Sequence, residues 1–308
     1  MTTSPVKVSV ADEVDGYERS VRGAHIRAIR TGRGTRPNRV GNRLEADYVA
    51  TWVTTGFPML TTATLPDDAL TVALITHAPP GSKWRDIELE SGAVLLYGQG
   101  AQHTAVNPEG ISFVFASVDT DAVRASAERS GVTMRWPAAA VVEELPRSHT
   151  HALGLTLRSL AASQPHLAPR TRASDLLPSL AHALDECRLR DRPGACRRIN
   201  DADVVAACVE YAEVIDRVPS LAELCSASYV CERKLRNAFN AMFNTSPARY
   251  FRAWGLDRAH RRLRVGDVGE VTVTNVANDL GFAHAGRFAR TYAARYGEPP
   301  SRTLRRSP

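Results

Sequence analysis

The chain has 308 residues, 44% of them hydrophobic and 23% charged, with a net charge of +6, which fits a soluble globular protein long enough for two domains with separate cores. Its opening stretch MTTSPVKVSVADE lacks the apolar centre and cleavage site of a signal peptide, and no apolar run approaches the roughly 20 residues of a bilayer span, so a cytoplasmic location is expected. The basic surplus is local: residues 231–308 hold 15 Lys+Arg against 6 Asp+Glu, and residues 1–230 hold 24 against 27. That is the footprint of a surface facing phosphates, although 36 of the 39 basic residues are Arg and no single one is informative by itself.

Residues 19 to 43 carry eight arginines and no acid. Gly32, Gly34, Pro37 and Gly41 inside them favour an exposed arm or strand-loop region over a second nucleic-acid patch. Between residues 44 and 118 come four short β-type runs, DYVATWV, TVALITHA, AVLLYGQG and ISFVFASV, separated by turn signals. Such spacing predicts a small antiparallel barrel or sandwich. Residues 121–130, about 148–162 and 174–190 have apolar residues recurring at three and four, a helical pattern. DRPGACRRIND reads as a linker, and from Asp201 onward every segment reads helical. The fold class is therefore α+β: a β-rich domain over 1–145, a helical dimerisation and linker region over 146–200, and an all-α domain over 201–308.

Five cysteines, Cys187, Cys196, Cys208, Cys225 and Cys231, fall in the second half without CxxC spacing, so neither disulfides nor a zinc site is expected. No cofactor is predicted.

In VTNVANDLGFAHAGRFARTYAARYG, residues 273–297, two helical stretches are broken by Leu280, Gly281 and Phe282. Gly281 suits the end of the first helix because it takes the left-handed conformation freely. In the second helix, beginning near His284, Phe288, Tyr292 and Tyr296 share one side, and Arg287, Arg290, Thr291 and Ala294 the other. The pattern is a helix-turn-helix whose second helix exposes two arginines; alone, an αα-hairpin with a solvated Arg face fits as well. About fifty residues earlier SLAELCSASYVCERKLRNAFNAMFNTSPARYF repeats the layout. Leu235, Ala238, Phe239 and Met242 form the buried side of its second helix, and Arg233, Arg236, Asn237 and Asn240 the opposite side. Arg matches guanine and Asn matches adenine in the major groove. Between the units, Ser246 as N-cap and Pro247 at the first position open a helix running to about Arg264. Its length of nearly 30 Å suits two recognition helices one DNA turn apart.

SLAELC, ERKLRNAF, FNTSPARYF, VANDLGF, RFARTYAARYGEPPS and TLRR resemble the DNA-binding domain of AraC/XylS transcription regulators, over roughly residues 201–308. The resemblance implies base readout by Arg233, Arg236, Asn237 and Asn240 in the first unit. In the second it implies readout from the helix start at His284 through Ala285, Gly286, Arg287 and Arg290. Three residues depart from the pattern. Tyr229 stands where the first turn usually has Gly, Cys231 is a poor N-cap, and Gly255 interrupts the spacer helix at a cost of about 1 kcal/mol. Cys231, beside Arg233 and Lys234 at a helix start, is also a candidate for an oxidisable thiol.

Members of that family couple the DNA-binding domain to a sensing and dimerising domain, often a cupin-like antiparallel barrel, and SGAVLLYGQGAQHTAVNPEG is similar to a strand, turn and strand of one. His77 and His103 without an HxH or matching acids do not make a metal cluster. Trp52, Trp84, Tyr97, His103 and Phe113 are candidate lining of an effector cavity, with plain core packing the alternative. The function implied is a sequence-specific transcription regulator, activator or repressor, controlled by a small-molecule effector and dimerisation. Its partners would be double-stranded operator DNA, the effector, a second copy of the chain and RNA polymerase, with no membrane. Two rivals stand beside it: a metal-dependent cupin-type enzyme with an accessory helical domain, and a ligand-independent architectural DNA binder.

Overall fold

The computed structural model describes residues 7–84, 87–132, 142–145, 150–161, 173–186, 201–266 and 270–306. The chain divides into two compact units, one holding Met1–Ala28, Arg36–Gly56 and Thr61–Gly194, the other Ile29–Thr35, Phe57–Leu60 and Ala195–Pro308. Among the described residues no helix is long and apolar enough to cross a membrane.

In chain order the first half runs β1 (Lys7–Ala11), α1 (Val14–Ser20), β2 (His25–Arg30), β3 (Asn38–Leu44), β4 (Tyr48–Thr54), β5 (Met59–Thr64), β6 (Ala69–His77), β7 (Lys83–Trp84), β8 (Ile87–Glu88), β9 (Val94–Tyr97), β10 (Gln102–Asn107), β11 (Ser112–Asp119), α2 (Thr120–Arg129), β12 (Val142–Leu145), α3 (His151–Ala161) and α4 (Ala173–Glu186). The strands form a seven-stranded sheet ordered β1-β3-β4-β11-β6-β9-β12 and a five-stranded sheet ordered β2-β5-β10-β7-β8. The four β-type runs of the sequence are β4, β6, β9 and β11, which lie side by side in the larger sheet. SGAVLLYGQGAQHTAVNPEG is a strand, turn and strand as expected, but its two strands, β9 and β10, belong to different sheets. Within Arg19–Arg43 the strand-loop alternative holds: β2 and β3 lie there, with Asn38, Val40 and Asn42 buried.

One face of the larger sheet presents Leu70, Val72 and Leu74 of β6 and Val114, Ala116 and Val118 of β11 to the helices. Leu153, Leu157 and Leu160 of α3 and Leu176, Leu180 and Leu184 of α4 recur at helical spacing and complete that core. The alternating residues of β6 and β11 face the opposite way, so ALTVALITH reads as a continuous apolar run because both its faces are covered.

The second half continues α5 (Asp201–Ile215), α6 (Leu221–Ser228), α7 (Glu232–Phe243), α8 (Pro247–Val265), α9 (Val273–Asp279), α10 (Ala285–Tyr296) and α11 (Pro300–Arg305). α5 packs against α6 and α7. On the N-terminal part of α8, Tyr250 lies 5.2 Å from Phe239 and 4.8 Å from Phe243, ring to ring, which fastens α7. Farther along α8, Leu256, Ala259 and Leu263 pack with Val276, Ala277 and Leu280 of α9 and the following turn, and with Phe288 and Tyr292 of α10. One 19-residue helix, about 28 Å long, thus anchors both second helices through different stretches of its surface. Cys187 and Cys196, and most of the linker over 191–201, lie outside the described residues.

Candidate nucleic-acid interface

The first unit opens with a capping box. Ser220 Oγ accepts from the Glu223 N–H at 3.3 Å, and Glu223 Oε2 accepts from the Ser220 N–H at 2.8 Å. Arg217 also donates to Glu223, and its hydrogen bond, ahead of those from Ser220, holds that carboxyl down at about 2. At the turn, Tyr229 sits at φ 53°, ψ 33°, the left-handed conformation, with its N–H directed to the carbonyls of Cys225 and Ser226. A tyrosine pays about 1–2 kcal/mol there that glycine would not. The turn therefore keeps the usual geometry with an unusual residue, its ring 90% exposed. Cys231 is the N-cap of α7, extended and without a side-chain capping bond. Its neighbour Lys234 is turned to Asp201 at 2.6 Å.

α7 buries Leu235, Ala238, Phe239, Met242 and Phe243. Arg233, Arg236, Asn237 and Asn240 are all exposed, which places the predicted readers together on the free face of one helix. Arg236 is half-engaged already: its Nε and Nη2 reach Glu232 Oε1 at 2.7 and 2.6 Å.

The second unit starts at Thr272, whose hydroxyl caps α9 by accepting from the Asn275 N–H at 3.1 Å. Gly281 takes φ 80°, and the Phe282 N–H closes the turn on the Ala277 carbonyl at 2.9 Å. α10 begins after His284. Phe288 and Tyr292 are buried, while His284, Ala285, Gly286, Arg287 and Arg290 are exposed. Neither arginine has an ion-pair partner among the described residues. A Cβ on Gly286 would meet nothing within 4 Å, so packing inside the unit does not require glycine there.

Gly255 has the opposite character. A Cβ at this point of α8 would lie 2.4 Å from Val218 Cγ2 and 3.1 Å from the Phe282 ring. The glycine that interrupts the spacer helix is the slot into which the α5–α6 connection and the turn of the second unit close, something no periodicity in the sequence indicates.

The basic surplus separates into two classes. Arg258 and Arg262 both hold Asp216; burial raises that carboxyl, and their hydrogen bonds outweigh it, leaving it below its ordinary value. Arg295 donates to the Ala253 carbonyl at 2.9 Å, and Arg306 to Glu298 at 2.9 Å. These cations hold the domain together. Arg233, Arg249, Arg252, Arg287 and Arg290 are exposed and face outward, available to an anionic surface.

Of the candidate effector residues, Trp84, Tyr97, His103 and Phe113 line one cavity between the two sheets, and Trp52 does not. The correction follows from register. Trp52 pairs with Val114 across β4 and β11 and packs with it on the helix-covered core, whereas Phe113, one residue away, faces the cavity. Trp52 also lies over Gly41, where an added Cβ would fall 2.0 Å from its ring. His77 is exposed at the end of β6, apart from that lining. Among the described residues no group of three or more His, Cys, Asp or Glu side chains is placed to hold a metal ion.

Residues 224–306 match the family described as Helix-turn-helix domain. XylDLEGF operon transcriptional activator 1 of Pseudomonas putida is 37% identical over 94 residues, which are 30% of this chain and 28% of that protein. A probable thc operon regulatory protein of Rhodococcus erythropolis is 31% identical over 106 residues, 34% of this chain and 32% of that protein. The chain thus spans less than a third of the length of these relatives. The crystal structure of a probable AraC family transcriptional regulator from Rhodopseudomonas palustris CGA009 is 32% identical, covers 34% of this chain and 97% of that one, and has a TM-score of 0.31.

Proposed function

Through its C-terminal domain the chain belongs to the AraC/XylS family, and on that premise we propose that it is a sequence-specific DNA-binding transcription regulator controlled by a small-molecule effector. One observation carries the reading. Each unit presents a second helix whose apolar face is buried on α8 or its neighbours and whose outward face bears arginine, joined in α7 by two asparagines. α7 and α10 enter the major groove of one duplex. Arg233, Arg236, Asn237 and Asn240 read the first half of the site, and His284, Arg287 and Arg290 the second. Bidentate Arg–guanine and Asn–adenine pairs supply the sequence discrimination, and Arg249 and Arg252 face the phosphates.

The N-terminal domain supplies control. Its cavity, lined by Trp84, Tyr97, His103 and Phe113 among others, takes the effector, and the chain self-associates, so the ligand shifts which DNA geometry the dimer prefers. It acts in the cytoplasm with RNA polymerase as a further partner. Selection of bound duplexes from a random pool followed by footprinting tests the reading. A bounded site with two adjacent major-groove patches is expected; diffuse protection without a preferred sequence overturns it in favour of an architectural role.

A further inference from the structure

The cavity of the N-terminal unit says what kind of molecule it takes. It lies between the five-stranded sheet and the face of the seven-stranded one turned away from the helices, and part of it is open to solvent. Its wall is aromatic. The Trp84 ring lies 5.0 Å from Phe113, edge on, and 5.3 Å from His103, which in turn lies 4.9 Å from Tyr97. The wall is also fixed in advance: Trp84 Nε1 donates to Asn107 Oδ1 at 3.1 Å, and Asn107 Nδ2 donates to Thr61 Oγ1 at 2.9 Å. Rings held this way offer faces and edges to a flat guest at little ordering cost.

Charge decides the class. Among the described residues the lining contains no Lys, Arg, Asp or Glu. Its polar groups are the phenols of Tyr17 and Tyr97, the His103 imidazole, the Asn107 amide and threonine hydroxyls. Tyr17 is pushed by burial to an acidity far weaker than an ordinary phenol, so it stays neutral. A carboxylate, phosphate or ammonium placed here would be stripped of water without a full opposite charge beside it, a heavy penalty. A hydroxyl or carbonyl would find hydrogen-bonding partners on the same wall.

We propose that this cavity binds an uncharged, flat aromatic compound bearing a hydroxyl or carbonyl group, and that it rejects the corresponding carboxylates. The inference rests on the effector-controlled reading above and names the ligand class for its cavity.

Calorimetric titration of the full chain at pH 8 with phenol, acetophenone and benzoate tests it, with tryptophan fluorescence followed in parallel. Saturable binding of phenol or acetophenone, with benzoate at least 100-fold weaker, is expected. Trp84→Phe keeps a ring in the wall but loses the bond to Asn107, so it should lose the ligand-dependent quenching and weaken the binding seen by heat. Ala73→Leu, whose added side chain fills the cavity, should lose both; thermal melting shows whether it folds, and the Trp84→Phe result stands without it. Benzoate binding as tightly as phenol, no saturable heat with either neutral probe, or unchanged quenching in Trp84→Phe overturns the inference. Footprinting of the same preparation without ligand reports separately on DNA recognition, so failure of the ligand class and failure of the regulator reading are distinguishable.

Discussion

Tyr292 Oη and His260 Nδ1 lie 2.6 Å apart in the buried core between the recognition helix α10 and the spacer helix α8. The same phenol donates to Thr303 Oγ1 at 2.9 Å, and Thr303 donates on to Glu298 Oε1 at 2.9 Å. The Tyr296 ring is stacked on His260 with centroids 4.1 Å apart. The orientation of α10 is thus set by a directional polar chain inside an otherwise apolar contact. Tyr292→Phe keeps the ring and leaves the imidazole and the threonine hydroxyl without this partner. It should lower the stability of the C-terminal domain by about 1–3 kcal/mol, measured by denaturant unfolding, with the apolar core otherwise intact.

Gly255→Ala should reverse the usual sign. In an ordinary helix interior this change stabilises by about 1 kcal/mol. Here the new Cβ would fall 2.4 Å from Val218 Cγ2, and Val218 cannot retreat easily because its N–H is bonded to the Leu280 carbonyl at 3.1 Å. Overpacking of this kind costs about 1–3 kcal/mol, so thermal unfolding should show net destabilisation. A rise in melting temperature would mean that the slot is wider than the geometry indicates.

Tyr229→Gly should stabilise. The tyrosine holds φ 53° while its side chain is almost wholly exposed, so little packing is lost. Relief of about 1–2 kcal/mol of left-handed strain is partly offset by the greater freedom of glycine in the unfolded chain, about 0.5–1 kcal/mol. A net gain of several tenths of a kcal/mol or more is expected by denaturant unfolding.

What the sequence displayed depended on how each segment is buried. β4, β6, β9 and β11 were legible because the larger sheet is covered on both faces and its central strands are apolar throughout. β3, NRVGNRL, was hidden among loop-forming residues because it buries polar side chains. Asn38 Oδ1 accepts from the Gly56 N–H at 2.8 Å, and Asn42 Nδ2 donates to the Ser20 carbonyl at 2.9 Å, partners that only the fold supplies. β5, MLTTAT, hid for a related reason: its inward Thr61 and Ala63 line a cavity rather than a core. The outward faces of α7 and α10 were legible from the 3.6-residue period alone. Trp52 was misassigned because an aromatic residue does not announce which side of its strand it occupies; one position of register separates it from Phe113.

Glu223→Gln should leave an acid-dependent signature. The folded carboxyl sits at about 2 through Arg217 first and Ser220 second, below its unfolded value of about 4.3. A depressed carboxyl contributes stability that is fully present above the unfolded value and is lost as pH falls through the folded one. Glutamine can keep the cap on Ser220 but not the charge opposite Arg217. The two proteins should differ modestly in unfolding free energy at neutral pH, since the pair is partly exposed. The difference should shrink from about pH 4 downward and vanish near pH 2.

Arg287 and Arg236 occupy comparable outward faces but start from different states, and DNA affinity should register the difference. Arg287 has no ion-pair partner among the described residues, and its fork is available to a guanine edge. Arg287→Ala should cost about 1–3 kcal/mol on the selected site and relax preference at one base pair. Binding to random duplex at the same salt should change far less. Arg236 is shared with Glu232, an acid that also repels the approaching phosphates. Removing that acid frees the guanidinium, so Glu232→Gln should tighten specific binding several-fold even though the start of α7 loses a favourable charge of about 0.5 kcal/mol. Fluorescence anisotropy of labelled duplexes at fixed ionic strength measures both. Equal losses for Arg287→Ala on selected and random DNA would reduce this arginine to a phosphate contact, and weaker binding by Glu232→Gln would mean that the ion pair presents Arg236 to the duplex rather than withholding it.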